Sequence, residues 1–455
     1  MIPVRRVVAG LRARSATTPG LLRLLSAGLL GATLLLWLTA FGTGLSRADA
    51  IDTVRNDAGP SFVAAQRIHA DLSVADATVA RAFLAGGVEP VAQRRVYEES
   101  VASASRRVVD LARTGGPLEA REPLTTLARE IPTYTGLVER ARTNNRLGNV
   151  VGAAYLRQAS TLMQYTILPA ADALAAVDAG RIDASYDRAT AWYHPVLVAL
   201  AGLACLAGLV AVQVLLYRRT NRVFNLPLVA ATALVAGVLG YTLSAFAAER
   251  SALRDGRDDA FQPMTLVAQA RGLGLRAWGD ESLALIARGN GTLFDQDAVR
   301  VTQRLGYDES GRALNDAPAA GTTSGGATAD EALGPPVLPA VAAAGGPDAQ
   351  PRAGLAGAWE QYQKTSVQVR AGAAQPGGFQ QAVKLALTDG TATFGRYDRT
   401  ADAALTASER RFAATLADAS DDLAPVAVAA TVVLVGATAL TIAGFQVRIN
   451  EYRRA

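Results

Sequence analysis

LLSAGLLGATLLLWLTAFGTGL, Leu24 to Leu45, contains no charged side chain. At about 1.5 Å of rise per residue it is long enough, as a helix, to cross the ~30 Å hydrocarbon core of a bilayer. Three similar runs follow: Pro195 to Tyr217, Leu226 to Ala248 and Leu423 to Val447. Soluble core helices of that length carry charges on a solvent face, and these carry none, so four membrane spans are expected. The composition agrees. Hydrophobic residues make up 50% of the 455-residue chain with only 6% aromatics, and the mean hydropathy is +0.18, which points to membrane segments. Ala48-Asp49-Ala50 resembles a signal-peptide cleavage site, but the apolar stretch before it exceeds a short signal core. The first span is therefore read as an uncleaved anchor.

Arginine sets the expected orientation. Residues 1–23, 218–225 and 448–455 together hold eleven arginines and one acid, whereas 46–194 balance and 249–422 carry five more acids than bases. The positive surplus lies entirely on one side of the expected membrane, which the positive-inside rule makes cytoplasmic. Both termini and the basic loop Arg218, Arg219, Arg222 then sit inside, and the chain is a multi-pass plasma-membrane protein with two extracytoplasmic domains. The high pI is thus a property of membrane-flanking anchors. A nucleic-acid patch would need arginines gathered on one folded surface, so no nucleic-acid partner is expected.

The chain repeats its plan of span, outer domain and span. At an ungapped offset of 203 residues, Pro60 aligns with Pro263, Ala65 with Ala268, Gln66 with Gln269 and Gly86 with Gly289, and Pro195 and Pro425 each open a closing span. Apolar residues in the first outer segment recur at steps of three and four. The stripes are Ile68-Leu72-Ala75-Val79-Phe83, Tyr97-Val101-Ala104-Val108-Leu111, Leu124-Leu127-Ile131-Tyr134-Leu137-Ala141 and Val151-Tyr155-Gln158-Leu162-Tyr165-Leu168. Glycine and proline punctuate between them. The expected fold is an all-α membrane protein with four transmembrane helices and two tandem extracytoplasmic up-down four-helix bundles related by internal duplication. Residues 317–354, rich in Ala, Pro and Gly, are expected to be a loosely ordered insertion. Pro169 should bend the fourth outer helix.

Catalytic chemistry is hard to place. His69 and His194 are the only histidines and Cys205 the only cysteine, so no metal set or disulfide is expected. Phosphate-loop, nucleophile-elbow and HExxH motifs are missing, and charges are missing from the span interiors, which argues against an ion pathway. The chain is expected to be non-enzymatic and to need no cofactor.

An outer helical bundle framed by two spans resembles the sensory domain of methyl-accepting chemoreceptors. Residues 131–163, IPTYTGLVERARTNNRLGNVVGAAYLRQASTLM, resemble the actinobacterial GlnX-type four-span membrane sensor proteins, and the layout agrees along essentially the whole chain. That resemblance implies a partner lipoprotein that binds amino acids of the glutamate, aspartate and glutamine class, and a cytoplasmic serine/threonine kinase. It implies no defined ligand residues. The inner segments are too short to fold into an output domain, so any message must pass to another protein.

Docking candidates are the apical turn residues Asn144, Asn145, Arg146 and Asn149, with Asn290 and Asp295 from the second domain; each equally suits a helix cap or a solvated turn. Tyr134, Tyr155, Gln158 and Tyr165 share the stripes and are candidates for a small-molecule pocket or for bundle packing. Arg218, Arg219 and Arg222 are candidates for the inner relay. A transport component, a cell-envelope scaffold and a homodimer stay open as alternatives.

Overall fold

The computed structural model describes residues 18–86, 89–220, 225–287, 291–314, 335–345, 349–421 and 423–454. In chain order the helices are α1 (Thr18–Thr53), α2 (Gly59–Ala85), α3 (Val91–Thr114), α4 (Arg121–Arg146), α5 (Val151–Leu162), α6 (Leu168–Ala189), α7 (Tyr193–Thr220) and α8 (Leu226–Gly256). The second half adds α9 (Gln262–Ala287), α10 (Thr292–Leu305), α11 (Val337–Ala343), α12 (Ala349–Ala374), α13 (Phe379–Leu385), α14 (Thr391–Asp421) and α15 (Leu423–Arg454). Among the described residues there is no strand, and the only bridge pairs Tyr307 with Ala313. The chain forms two compact units.

The first unit gathers residues 1–53, 184–254 and 416–455. It contains four helical stretches long and apolar enough to cross a membrane, as a multi-pass membrane protein requires. α1 packs on α7 and α15. Gly202 lets α7 approach α8, since a Cβ there would stand 2.5 Å from Leu239. Leu36, Cys205, Leu209, Leu228, Val235 and Leu434 form its buried interior, while Leu34, Leu35, Leu38, Val428, Val432 and Val435 are exposed. An apolar exterior around an apolar interior suits lipid and is foreign to water. Some of its polar groups bond internally: Gln213 donates to the Leu228 carbonyl at 2.9 Å and Thr232 at 2.8 Å, and Trp37 to Thr431 at 3.3 Å.

The second unit holds residues 54–183 and 255–415, so the two helical segments meet in one body. α2 and α9 pack together at its centre, with α3 to α5 on one flank and α10 to α13 on the other. The expected stripes decide most inward faces. Ile68, Leu72, Ala75 and Val79, then Tyr97, Ala104, Val108 and Leu111, then Leu127, Ile131, Tyr134, Leu137 and Ala141 are all buried. Ala75 to Ala82 are buried without interruption, as befits a helix surrounded on every side.

The fourth stripe faces differently from the expectation. Leu156, Ala159, Ser160, Met163, Gln164 and Ile167 are buried, whereas Gln158 is exposed and Tyr165 is 59% exposed. Small residues select the face. Gly152 lies against the backbone of Ala141 to Asn145, so α5 turns its narrow side to α4 and its bulky side outward. The insertion also departs from the expectation: Val337–Ala343 forms a helix that buries Val337, Leu338 and Val341, and α12 begins at Ala349. Residues 317–334 lie outside the described residues.

Among the described residues, four π-helical turns interrupt the long helices: Val54–Ala58, Met163–Ile167, Arg257–Phe261 and Ala386–Gly390. Three of them end two residues before a proline, namely Pro60, Pro169 and Pro263. A proline ring clashes with the carbonyl four residues earlier and supplies no N–H. Those carbonyls belong to Asn56, Tyr165 and Asp259, the middle residue of each wide turn. Widening the turn there makes room for the ring, and Leu168 and Gln262 donate back to Met163 and Arg257 instead. Pro169, expected to bend the fourth outer helix, is accommodated by such a turn. The first and third turns lie 203 residues apart, the same spacing as Pro60 and Pro263.

Gly59 is the residue that lets the first π turn close, because an added Cβ would stand 2.4 Å from the Val54 carbonyl. Gly59→Ala is expected to lower stability by about 1–3 kcal/mol, the usual cost of overpacking. Thermal unfolding of the purified chain checks this, and an unchanged midpoint contradicts it.

Candidate functional site

The second unit has a cleft of about 620 Å³ walled by α2, α6 and α9, within the range of small-molecule sites. Its floor is apolar, from Phe62, Leu168, Ala175, Ala268 and Leu273, and its polar groups are Gln66, His69, Gln164, Asp172, Gln269, Arg276 and Arg304. Gln66 and Gln269, aligned at the 203-residue offset, both line it. His69 fits here because position 272 is glycine: a Cβ there would lie 2.9 Å from the imidazole. The imidazole Nε2 stands 3.5 Å from Asp172 across the cleft.

Two polar bridges between the halves bracket this face. Gln164, turned inward by its π turn, donates to Asp280 at 2.6 Å, and Arg257 pairs with Asp183 at 2.9 Å. The opposite side of the α2–α9 pair is closed. There α14 is drawn in by Arg67 to Glu409 at 2.7 Å and by Arg271 to Asp398 at 2.8 Å and Asp402 at 2.6 Å. Tyr397 of α14 also donates to the Ala270 carbonyl at 2.5 Å. No comparable set of ion pairs draws α6 toward α9 among the described residues, and the cleft occupies the space left between them.

Behind the cleft lies a layer of buried ionisable groups. Asp76 accepts from Ser160 at 2.9 Å and Tyr134 at 3.2 Å, and burial pushes its carboxyl up to about 6 against the pull of those hydroxyls. Burial likewise raises Asp280 to about 7, opposed by Gln164 and Arg276. Burial also raises Glu281, which is bonded by Ser366 and Tyr362 and faces Arg81. Arg81 reaches the Ala386 carbonyl and Thr391 in the fourth π turn and covers the Trp278 ring at 4.6 Å. Desolvation of that guanidinium lowers its affinity for the proton. Such a layer ties helices from both halves together through groups that are costly to bury unpaired.

The candidates named from sequence scatter over this unit. Asn144 donates to the Arg140 carbonyl at 2.9 Å and accepts from Asn149 at 3.1 Å, so both knit the α4–α5 turn. Asn145 and Arg146 line a small cavity of about 80 Å³ beside Glu89 and Arg94. Leu147 and Val150 are exposed at the same turn. Asp295 is exposed on α10, and Asn290 lies outside the described residues.

The four pocket candidates do not converge. Tyr134 bonds Asp76 in the core, Tyr165 donates outward to Asp297 at 2.6 Å, Tyr155 is half-buried and Gln158 is exposed. Arg218 is exposed in α7, the Arg219 side chain is not described, and Arg222 lies outside the described residues. Sequence reading missed Asp76, Arg81, Asp280 and Glu281. Their signal was one or two charges flanked by apolar and small residues, as in SVADATVA and GDESLALI.

The helices α2 to α6 therefore form a bundle with a charged interior beside a polar cleft, and that segment has a counterpart among known families. Residues 50–187 match the family model described as an actinobacterial sensor domain. The match takes in α2 through most of α6, and with them Asp76, Gln164 and the α2 and α6 walls of the cleft. Curated proteins and solved structures yield no match.

Proposed function

We propose that this chain is a non-enzymatic transmembrane sensor or adaptor of the plasma membrane. Both termini and the 218–225 loop are inside and the helical unit is outside. The supporting observation is the sensor-domain match at residues 50–187, in a chain with four helices fit to cross a membrane and its positive surplus confined to the short segments flanking them. The chain remains helical from Leu24 to Ala85 and from Val151 to Arg218, apart from the turn at 190–192, so displacement of packed helices is available as a signal. The GlnX-type resemblance adds the partners: an amino-acid-binding lipoprotein of the glutamate, aspartate and glutamine class outside, and a serine/threonine kinase reached through Arg218, Arg219 and Arg222 inside. The exposed Leu147 and Val150 beside Asn144, Asn145, Arg146 and Asn149 make the α4–α5 turn the docking surface of choice, with Asn290 and Asp295 in the second half.

Cross-linking in native membranes, purification of the chain and mass spectrometry test this reading. Recovery of a binding lipoprotein and a kinase is expected, with the lipoprotein signal reduced in a Leu147→Asp, Val150→Asp variant. Recovery of transport subunits instead, or of neither partner, overturns the relay.

A further inference from the structure

We propose that the cleft between α2, α6 and α9 is itself a ligand site, and that it takes a small zwitterion, a molecule bearing one carboxylate and one ammonium group. The proposal extends the sensor reading by placing a ligand on this chain in addition to any partner protein, and it stands on the cleft alone.

The first argument is the difference between the two sides of the central helix pair. On one side the ion pairs of Arg67 and Arg271 and the Tyr397 hydroxyl pull α14 onto α2 and α9. On the other side α6 stands off, and the bridges Gln164–Asp280 and Arg257–Asp183 hold it there. Protein interiors are close-packed, and a gap of about 620 Å³ beside a central helix pair forfeits contacts that a bound molecule restores.

The second argument is the chemistry of the wall. Arg276 supplies the cation. Its side chain lines the cleft and is 29% exposed, with Nη2 3.4 Å from Asp297 and the buried Nε 3.8 Å from Asp280. A guanidinium that lines a cleft matches a carboxylate. The anion is Asp172, 65% exposed, whose one partner across the cleft is the His69 imidazole at 3.5 Å. It matches an ammonium. Gln164, 5% exposed, gives its amide N–H to Asp280 and leaves Oε1 without a partner, and so offers a second acceptor for ammonium protons. Gln66 and Gln269 add neutral donors and acceptors. A ligand of one sign alone meets only one of Arg276 and Asp172, whereas a zwitterion meets both. The apolar floor from Phe62 and Leu168 accepts a short hydrocarbon portion.

The test uses the full chain in lipid nanodiscs, without lipoprotein or kinase. Binding is measured by calorimetry and by thermal shift against the twenty free amino acids, glycine betaine and 4-aminobutyrate. At least one is expected to bind, and its amine-only and acid-only analogues (butylamine and butyrate for 4-aminobutyrate) are expected to bind at least tenfold more weakly. Arg276→Gln and Asp172→Asn should each weaken binding about tenfold or more. Arg276→Lys should recover part of the loss, which separates lost charge from lost folding. Ala176→Leu narrows the cleft from an exposed position on α6; it should abolish binding while leaving the melting temperature of the empty protein unchanged or higher.

Absence of binding across the whole set overturns the proposal. So does equal binding of a single-charge analogue, or binding that survives Ala176→Leu. Because no partner protein is present, failure here leaves the relay untouched, and failure to recover partners from membranes leaves this binding untouched.

Discussion

Arg81→Met is expected to destabilise the helical unit by about 3–5 kcal/mol, the scale on which removing one member of a buried charge cluster acts. Arg81 is 2% exposed and serves four neighbours at once. It donates to the Ala386 carbonyl and to Thr391, it lies over Trp278, and its charge opposes that of the buried Glu281. Methionine fills much of the volume, so the loss is electrostatic and hydrogen-bonded more than steric. The Ala386 carbonyl sits in a π turn that has no proline to fix it, so the turn should loosen when the guanidinium leaves. Trp278 is stacked on Phe394 at a centroid distance of 4.3 Å, and its fluorescence reports the change alongside thermal unfolding. A loss below about 1 kcal/mol, the level of an ordinary hydrogen bond, contradicts this account of the layer. Arg81→Lys should recover only part of the stability, because an ammonium cannot bond in the plane of two acceptors as a guanidinium does.

The second large effect is a dependence on pH. Asp76 and Asp280 are held in the folded state with pKa values raised to about 6 and about 7, against about 3.9 for an unfolded aspartate. The folded state therefore binds more protons than the unfolded state between those limits, and each group favours folding below pH 4. That contribution is lost as pH rises through 6 for Asp76 and through 7 for Asp280. Each represents on the order of 3–4 kcal/mol across the window. Surface carboxylates in ion pairs change in the opposite sense at lower pH, so the informative quantity is the difference between variants. Between pH 4.5 and pH 8, Asp280→Asn should lose distinctly less stability than the parent chain, and Asp76→Asn should do the same with its gain complete nearer pH 7. Parallel stability curves for parent and variants would contradict the raised pKa values of these two buried carboxyls.

Much of the fold was legible in the sequence because its causes are local. The spans follow from uncharged length, and the inward faces of α2, α3 and α4 follow from spacing, so Ile68 to Val79 and Leu127 to Ala141 lie where periodicity puts them. The site was much less legible. Spacing locates a helix face to within about one residue, and neighbouring residues on a helix are separated by about 100°. In α5 that one residue decides between Gln158, exposed, and Ala159 and Ser160, buried. The deciding factor was close approach at Gly152, a contact with a distant helix turn. Asp76 looked like a solvated acid because its partners Tyr134 and Ser160 are 58 and 84 residues away. The order within Val337–Ala343 was hidden for a similar reason: the run is only seven residues long, and it becomes a helix by packing on α9 and α12.

The prolines Pro60, Pro169 and Pro263 follow wide turns that each house one residue more than the regular spiral needs. Such a surplus residue rotates whatever lies downstream by about 100° relative to an uninterrupted helix. The segments before and after each wide turn can therefore satisfy different surroundings, with Ser160 meeting Asp76 on one side of residues 163–167 and Asp172 meeting His69 on the other. It follows that these five-residue windows are where the chain best absorbs a shortened or lengthened sequence. A lost residue elsewhere in the same helices would swing every contact beyond it off target.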